Sequence, residues 1–357
     1  TGLAAAERAG SGRRAALERA AGPEVRFFDR LRGIWAQMEI QKLASAVHDE
    51  QSVWPAEFRE QFGEIHLRAV GGTGKVFVAD AYTGAGALRG QEVAVKEVRC
   101  RTHKHAAMAN REVSVLERLR GQPEFVQYDM ALMTHLPVDT VLILMEAARE
   151  DLESVISRRD EWTRAAKVHV FQEALRGLRA MRKNGLVHGD IKPPNLLVFG
   201  DCHGECRVKL ADFQNSCAFE GEGKITLPCR GLLGTPLYMA PEACDSTEPW
   251  GPERDVWALG VVFYEFLFGA PPAKLQPLDV RQGQVKQSSL RSRSLRERFN
   301  IRHDPNFRRL IDEDPFIAML LAGMLTPNRE ARLTAEEALH VAEAIDQDEH
   351  RRELAAA

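Results

Sequence analysis

The stretch that most constrains this chain runs from Leu186 to Phe199, LVHGDIKPPNLLVF. It sets an acid at Asp190, a base at Lys192 and an amide at Asn195 within six positions, beside a Pro pair that rules out a regular helix. Apolar residues flank this polar island on both sides. A loop pinned between two buried elements can hold three such side chains in fixed relative positions, as phosphoryl transfer requires. Alone, the run reads equally well as a solvated turn, so its meaning depends on partners elsewhere.

Composition narrows the setting. With 357 residues, 44% of them hydrophobic and 28% charged, the chain suits a globular protein of two lobes or a large domain with an appendage. A formal charge of -3, from 48 basic and 51 acidic residues, gives no sign of a nucleic-acid partner. No apolar run approaches the roughly 20 residues that span a bilayer. The opening TGLAAAERAGSGRR lacks a signal-peptide core, and because it does not start on Met, an earlier targeting segment is left open. The six cysteines (Cys100, Cys202, Cys206, Cys217, Cys229, Cys244) read as free thiols, with a metal pair or small disulfide at Cys202 and Cys206 as the alternative.

Phe27, Leu31, Ile34, Trp35, Met38 and Leu43 recur at helical spacing, so an amphipathic helix is expected over 24–47. From 58 to 99 short β-rich runs follow, with the Gly-rich turn Gly71-Gly72-Thr73-Gly74 ahead of Val76 and with VAVK, containing Ala94, ending at Lys96. Gly in such a turn lets backbone N–H groups approach phosphates. A Lys on a half-buried strand needs an acid nearby. The helical run 105–120 offers one in Glu112, although separately these two read as a surface lysine and a solvated helix charge. Strands are expected at 124–133 and 140–146, a long helix at 163–183 stopped by Asn184-Gly185, and a strand ending at Asp212. An all-round apolar helix is expected over 256–268, a polar, basic stretch over 271–304, and helices over 307–325 and 334–346.

Taken in order, VAVK, Glu112, HGDIKPPN, Asp212-Phe213, GTPLYMAPE and DVWALG resemble the motifs of the eukaryotic protein kinase superfamily, serine/threonine branch. The resemblance covers residues 64–344, about four fifths of the chain. It implies an α+β, bilobal protein-kinase-like fold: an N-lobe of antiparallel sheet plus helix C, and a mainly helical C-lobe. The expected division is an N-terminal helical extension (1–57), the kinase domain (58–344, lobes meeting near 146) and a tail (345–357).

The same resemblance implies ATP and Mg2+ as cofactors and a protein substrate with a Ser or Thr acceptor. Gly71, Gly74, Val76, Ala94, Glu146, Ala148 and Leu197 would line the ATP site, with the Gly-rich turn at the phosphates, the backbone beyond Met145 at adenine and Met145 behind it. Lys96, held by Glu112, would meet the α and β phosphates. Asn195 and Asp212 would bind metal, Asp190 would take the acceptor's proton, and Lys192 would neutralise the transferring phosphoryl group. Thr235 would belong to the substrate platform, Glu242 would pair with Arg332, and Asp255 would tie down the catalytic loop's backbone.

Ala69, Gly189 and Gln214 depart from the family pattern at its first loop Gly, its H-R-D Arg and its D-F-G Gly. Gln214 is expected to resist a positive φ there. The departures leave a second reading, a pseudokinase acting as an allosteric or scaffolding module. Gly189 implies activity that does not depend on phosphorylation of the activation segment, which the resemblance places from Asp212 to Glu242. Such departures, behind a helical extension, are similar to the secreted rhoptry kinases of apicomplexan parasites. That resemblance implies delivery through rhoptries into a host cell, with a cytoplasmic kinase as the alternative. Partner docking is expected on the N-terminal helix or the 271–304 segment.

Overall fold

The computed structural model describes residues 54–71, 74–135, 138–200, 206–218, 234–244, 251–275 and 299–356. The helix expected over 24–47 and the centre of the 271–304 segment lie outside these residues.

Five antiparallel strands form the smaller lobe: β1 (Ile65–Val70), β2 (Gly74–Ala79), β3 (Val93–Arg99), β4 (Tyr128–Thr134) and β5 (Thr140–Glu146), in the spatial order β1-β2-β3-β5-β4. Successive side chains on a strand point to opposite faces, and this divides the lobe's chemistry. On one face Val76, Ala94, Val98, Ile143 and Met145 join the main core. On the other, Val93, Val95, Leu142 and Leu144 pack with Trp54, Phe58, Phe62, Tyr82 and Leu88 in a separate cluster. Trp54 stands edge-on to Phe77 at 5.3 Å and donates from Nε1 to Glu97 Oε2 at 3.0 Å. Trp54 is thus stapled to the back of the sheet.

The helix His103–Leu119, capped by Thr102 Oγ1, buries Ala109, Glu112, Val115, Leu116 and Leu119 against the sheet's inner side. Beyond β5 the chain enters the helical lobe. The helix Arg164–Lys183 is capped by Thr163 and ends at Asn184, with Gly185 at φ +63°. The helix Glu253–Phe268 is buried along almost its whole length. The single helix expected over 307–325 is instead two, Pro305–Glu313 and Pro315–Met324. Pro315 has no N–H to continue the first helix, and Asp314 caps the second. The last helix, Ala335–Ala356, runs through the segment expected as a tail.

Two short sheets complete the lobe's upper edge. β6 (Glu150–Asp151), β8 (Leu196–Gly200) and β9 (Cys206–Leu210) form one, and β7 (Leu186–Val187) pairs with β10 (Cys217–Ala218) in the other. The catalytic-loop candidate lies between β7 and β8, and Asp212 follows β9. Cys206 and Cys217 are each disulfide-bonded, so the free-thiol reading fails at both, as does the metal pair at Cys202 and Cys206. Cys100 is free. The small disulfide that was the other alternative at Cys202 and Cys206 involves Cys202, which lies outside the described residues.

Candidate active site

Lys96 and Asp212 face one cleft. The ammonium of Lys96 reaches Glu112 Oε1 at 2.6 Å, Glu112 Oε2 at 2.7 Å and Asp212 Oδ1 at 2.8 Å. Three distant segments therefore meet at one cation. Burial works against the Lys96 charge, but Asp212 and Glu112 outweigh it and hold its pKa above the ordinary lysine value. Burial likewise opposes the ionisation of Asp212, yet Lys96 prevails and holds that carboxyl below its usual range. Two carboxylates sharing one ammonium leave an acid in excess. Glu112, 2% exposed, is pushed up to about 7 by burial against the pull of Lys96.

The catalytic-loop candidate is held from below. Asp255 accepts the backbone N–H of His188 at 2.7 Å and of Gly189 at 3.0 Å. Burial raises the pKa of Asp255, against the opposing pull of His188 and Arg254 and these two N–H bonds. His188 Nε2 also meets the Ala211 carbonyl at 3.0 Å, joining the loop to the residue before Asp212. Asn195 donates from Nδ2 to the Asp190 carbonyl at 2.8 Å, which leaves its side-chain oxygen as an acceptor.

The Asp190 side chain, 6% exposed, is surrounded by donors. Thr235 Oγ1 donates to Oδ1 at 2.8 Å, while Lys192 Nζ lies 3.1 Å from Oδ2 and Asn215 Nδ2 donates to Oδ2 at 3.4 Å. Thr235 and Lys192 were expected here; Asn215 was not. It follows Asp212-Phe213-Gln214, and no periodicity marks a lone polar residue in a short turn.

The remaining predicted residues divide by element. Val76 pairs with Lys96, and Ala94 with Met145, on the inner face of the sheet. Gly71 N–H donates to the Gly74 carbonyl at 2.8 Å and closes the loop. Gly74 has a further role beyond approach to phosphate: a Cβ there would lie 2.0 Å from the Glu97 carbonyl, so the β2–β3 contact itself requires Gly. Glu146 closes β5, its carboxylate taken up by Lys209 and the Gln127 N–H, both at 2.6 Å, which leaves the backbone as its contribution to the cleft. Ala148 stands between β5 and β6, and Leu197 lies on β8 opposite Asp151.

Gln214 carries no positive φ, as its expected resistance to one requires. Asp212 does carry one, at +65°, as the one non-glycine residue of that kind among the described residues. Gln214 sits in an ordinary 3-10 turn and donates from Nε2 to Asp212 Oδ2 at 3.3 Å. The side-chain oxygens of Asn195 and Asp212 are hard donors of the type that bind Mg2+, so the residues present suit that ion. Farther out, Arg332 grips Glu242 through two bonds, at 2.6 and 3.0 Å, as the motif reading expects.

The model for the protein kinase domain matches residues 69–342. The chain belongs to the protein kinase family. It is 32% identical over 190 residues, 53% of its length, to the calcium/calmodulin-dependent protein kinase type II alpha chain of Drosophila melanogaster. Over 283 residues, 79% of its length, it is 30% identical to the serine/threonine-protein kinase PAK mbt of the same fly. It is 27% identical over 272 residues, 71% of its length, to mitogen-activated protein kinase 20 of Arabidopsis thaliana. These matches span 32%, 39% and 44% of the relatives' own lengths.

Proposed function

We propose that the protein transfers the γ-phosphate of Mg-ATP to serine or threonine hydroxyls of protein substrates. The observation that carries this reading is the meeting of Lys96, Glu112 and Asp212 at one ammonium, above a carboxylate at Asp190 that is aimed by Thr235 and Lys192. Lys96 moves its charge from Asp212 onto the α and β phosphates while Glu112 keeps it in place. Asp212 and Asn195 hold Mg2+, which supplies charge neutralisation along the triphosphate. Asp190 accepts the hydroxyl proton as the acceptor oxygen bonds to the γ-phosphorus, the bond to the β–γ bridging oxygen breaks, and ADP leaves. Lys192 offsets the charge on the phosphoryl group in passage.

The pseudokinase alternative rests on Ala69, Gly189 and Gln214. None of the three removes a charged group from the centre, and Gln214 adopts its turn without backbone strain. Radiolabel transfer to casein by the wild type, abolished in Asp190→Ala while ATP still raises the melting temperature of both, is the expected result. A nucleotide-induced shift without transfer by either protein would establish the pseudokinase instead.

Disulfides at Cys206 and Cys217 suit an oxidising compartment. They favour passage through a secretory route over the cytoplasmic alternative. Thiol labelling of the protein taken from its native source should leave both cysteines unmodified until reductant is added; labelling without reductant would place it in a reducing compartment.

A further inference from the structure

Two consecutive residues, Gln214 and Asn215, hand one amide to each carboxylate of the reaction centre. Gln214 donates to Asp212 Oδ2 and Asn215 to Asp190 Oδ2. Asn215 is 8% exposed and sits in the 3-10 turn Phe213–Asn215, whose backbone is anchored by Phe213, fully buried beside His188 at 5.3 Å. Its side chain is therefore delivered to Asp190 from a rigid element.

An ionised carboxylate has about four acceptor positions, two on each oxygen. On Asp190, Oδ2 faces the Lys192 ammonium as an ion pair at 3.1 Å and accepts the Asn215 amide at 3.4 Å, while Oδ1 accepts only Thr235 Oγ1. Oδ1 is therefore the oxygen with more room for a further donor. We infer that Asn215 is a positioning residue for Asp190: by holding Oδ2 with its amide beside the Lys192 ammonium it fixes the carboxylate's rotation and leaves Oδ1 to the acceptor hydroxyl. Without this amide, Asp190 presents two competing sites and the hydroxyl is held in more than one direction, which costs rate because transfer demands in-line approach. Asn215 makes no hydrogen bond to Lys96, Glu112 or Asp212, so its removal leaves the ion pairs that serve the nucleotide in place.

The inference rests on the kinase reading above, and the test separates the two. Steady-state transfer to casein and nucleotide-induced thermal shifts are measured for the wild type, Asn215→Leu and Asn215→Asp. Leu keeps comparable bulk without a donor; Asp keeps the shape and sets a negative charge against Asp190. The expected result is a kcat lower by about tenfold in Asn215→Leu, equivalent to about 1.4 kcal/mol, and lower still in Asn215→Asp. KM for ATP and the ATP-induced shift stay at wild-type values in both. A side chain that only fills space predicts the reverse order, with the isosteric Asp variant the more active. That order, wild-type kcat in either variant, or a loss that tracks weakened ATP binding overturns the inference while leaving the kinase reading intact. If one variant fails to fold, wild-type kcat in the other still overturns the inference. A wild type that transfers nothing to casein removes the kinase reading, and this inference with it.

Discussion

Gly189 stands where the family's Arg would be, and its backbone lies at φ +81°, a conformation that a side chain rarely adopts. Its carbonyl would be 2.5 Å from a Cβ placed on Gly234, so the catalytic loop and the end of the activation segment touch backbone to backbone. Restoring the family residue with Gly189→Arg is therefore expected to lower transfer at least several-fold, with the loss visible in kcat. A variant as active as the wild type would show that the contact is dispensable. The buried triad yields a second residue-scale prediction. Glu112 is raised from 4.5 to about 7, so the folded state holds its proton more tightly than the unfolded chain does. Its contribution to stability is present below pH 4.5 and is lost as pH rises through about 7. Glu112→Gln should therefore flatten the fall in melting temperature of the nucleotide-free protein across that window; an unchanged slope would mean another group titrates there. At this scale the charged residues were readable from motif order, because an ion pair needs only the right types on the right elements. Asn215 was not, since its role depends on where a turn points.

Elements announce themselves through caps and periodicity. Thr334 and Glu337 form a capping box: Glu337 N–H donates to Thr334 Oγ1 at 3.3 Å, and Thr334 N–H donates to Glu337 Oε2 at 2.8 Å. The bonds that Thr334 N–H and Oγ1 donate to Glu337 Oε2 hold that carboxyl below its usual range. Thr334→Ala should cost about 1 kcal/mol of stability in denaturant titration, and a loss under a few tenths would mean the helix Ala335–Ala356 starts without its cap. The back of the sheet shows the opposite case. The cluster around Trp54 draws on residues upstream of β1 that no strand or helix pattern links to Val95 or Leu144. Hydrophobic alternation in β3 shows that both faces are buried but not what covers each of them. Trp54→Ala removes a 7% exposed indole and leaves Glu97 without that donor. The expected cost is about 3–5 kcal/mol, read as a lowered melting temperature, with transfer activity recovered at low temperature because the cleft face is unchanged.

Across the whole molecule, stability of the large lobe and readiness of the active site run through the same segment. Arg332, with a fully buried side chain, clasps Glu242 at one end of the activation segment and also donates to the carbonyls of Thr326, Pro327 and Glu253. At the catalytic end, Thr235 is bonded to Asp190, and Gly234 is packed on Gly189. In kinases that carry Arg before the catalytic Asp, a phosphate on this segment supplies the charge that orders it. Here the Gly234 backbone contact and the Thr235 bond tie the catalytic loop directly to residues 234–235, and neither contact involves a phosphate. Exhaustive phosphatase treatment should leave transfer within about twofold of the untreated protein, since no paired charge is lost from an already assembled centre. Arg332→Met, by contrast, leaves Glu242 as a largely buried acid without its clasp, at an expected cost of roughly 3–5 kcal/mol, and should abolish transfer near the new melting temperature. If phosphatase treatment silences the wild type while Arg332→Met stays active, the segment is ordered by a modification and not by the contacts described.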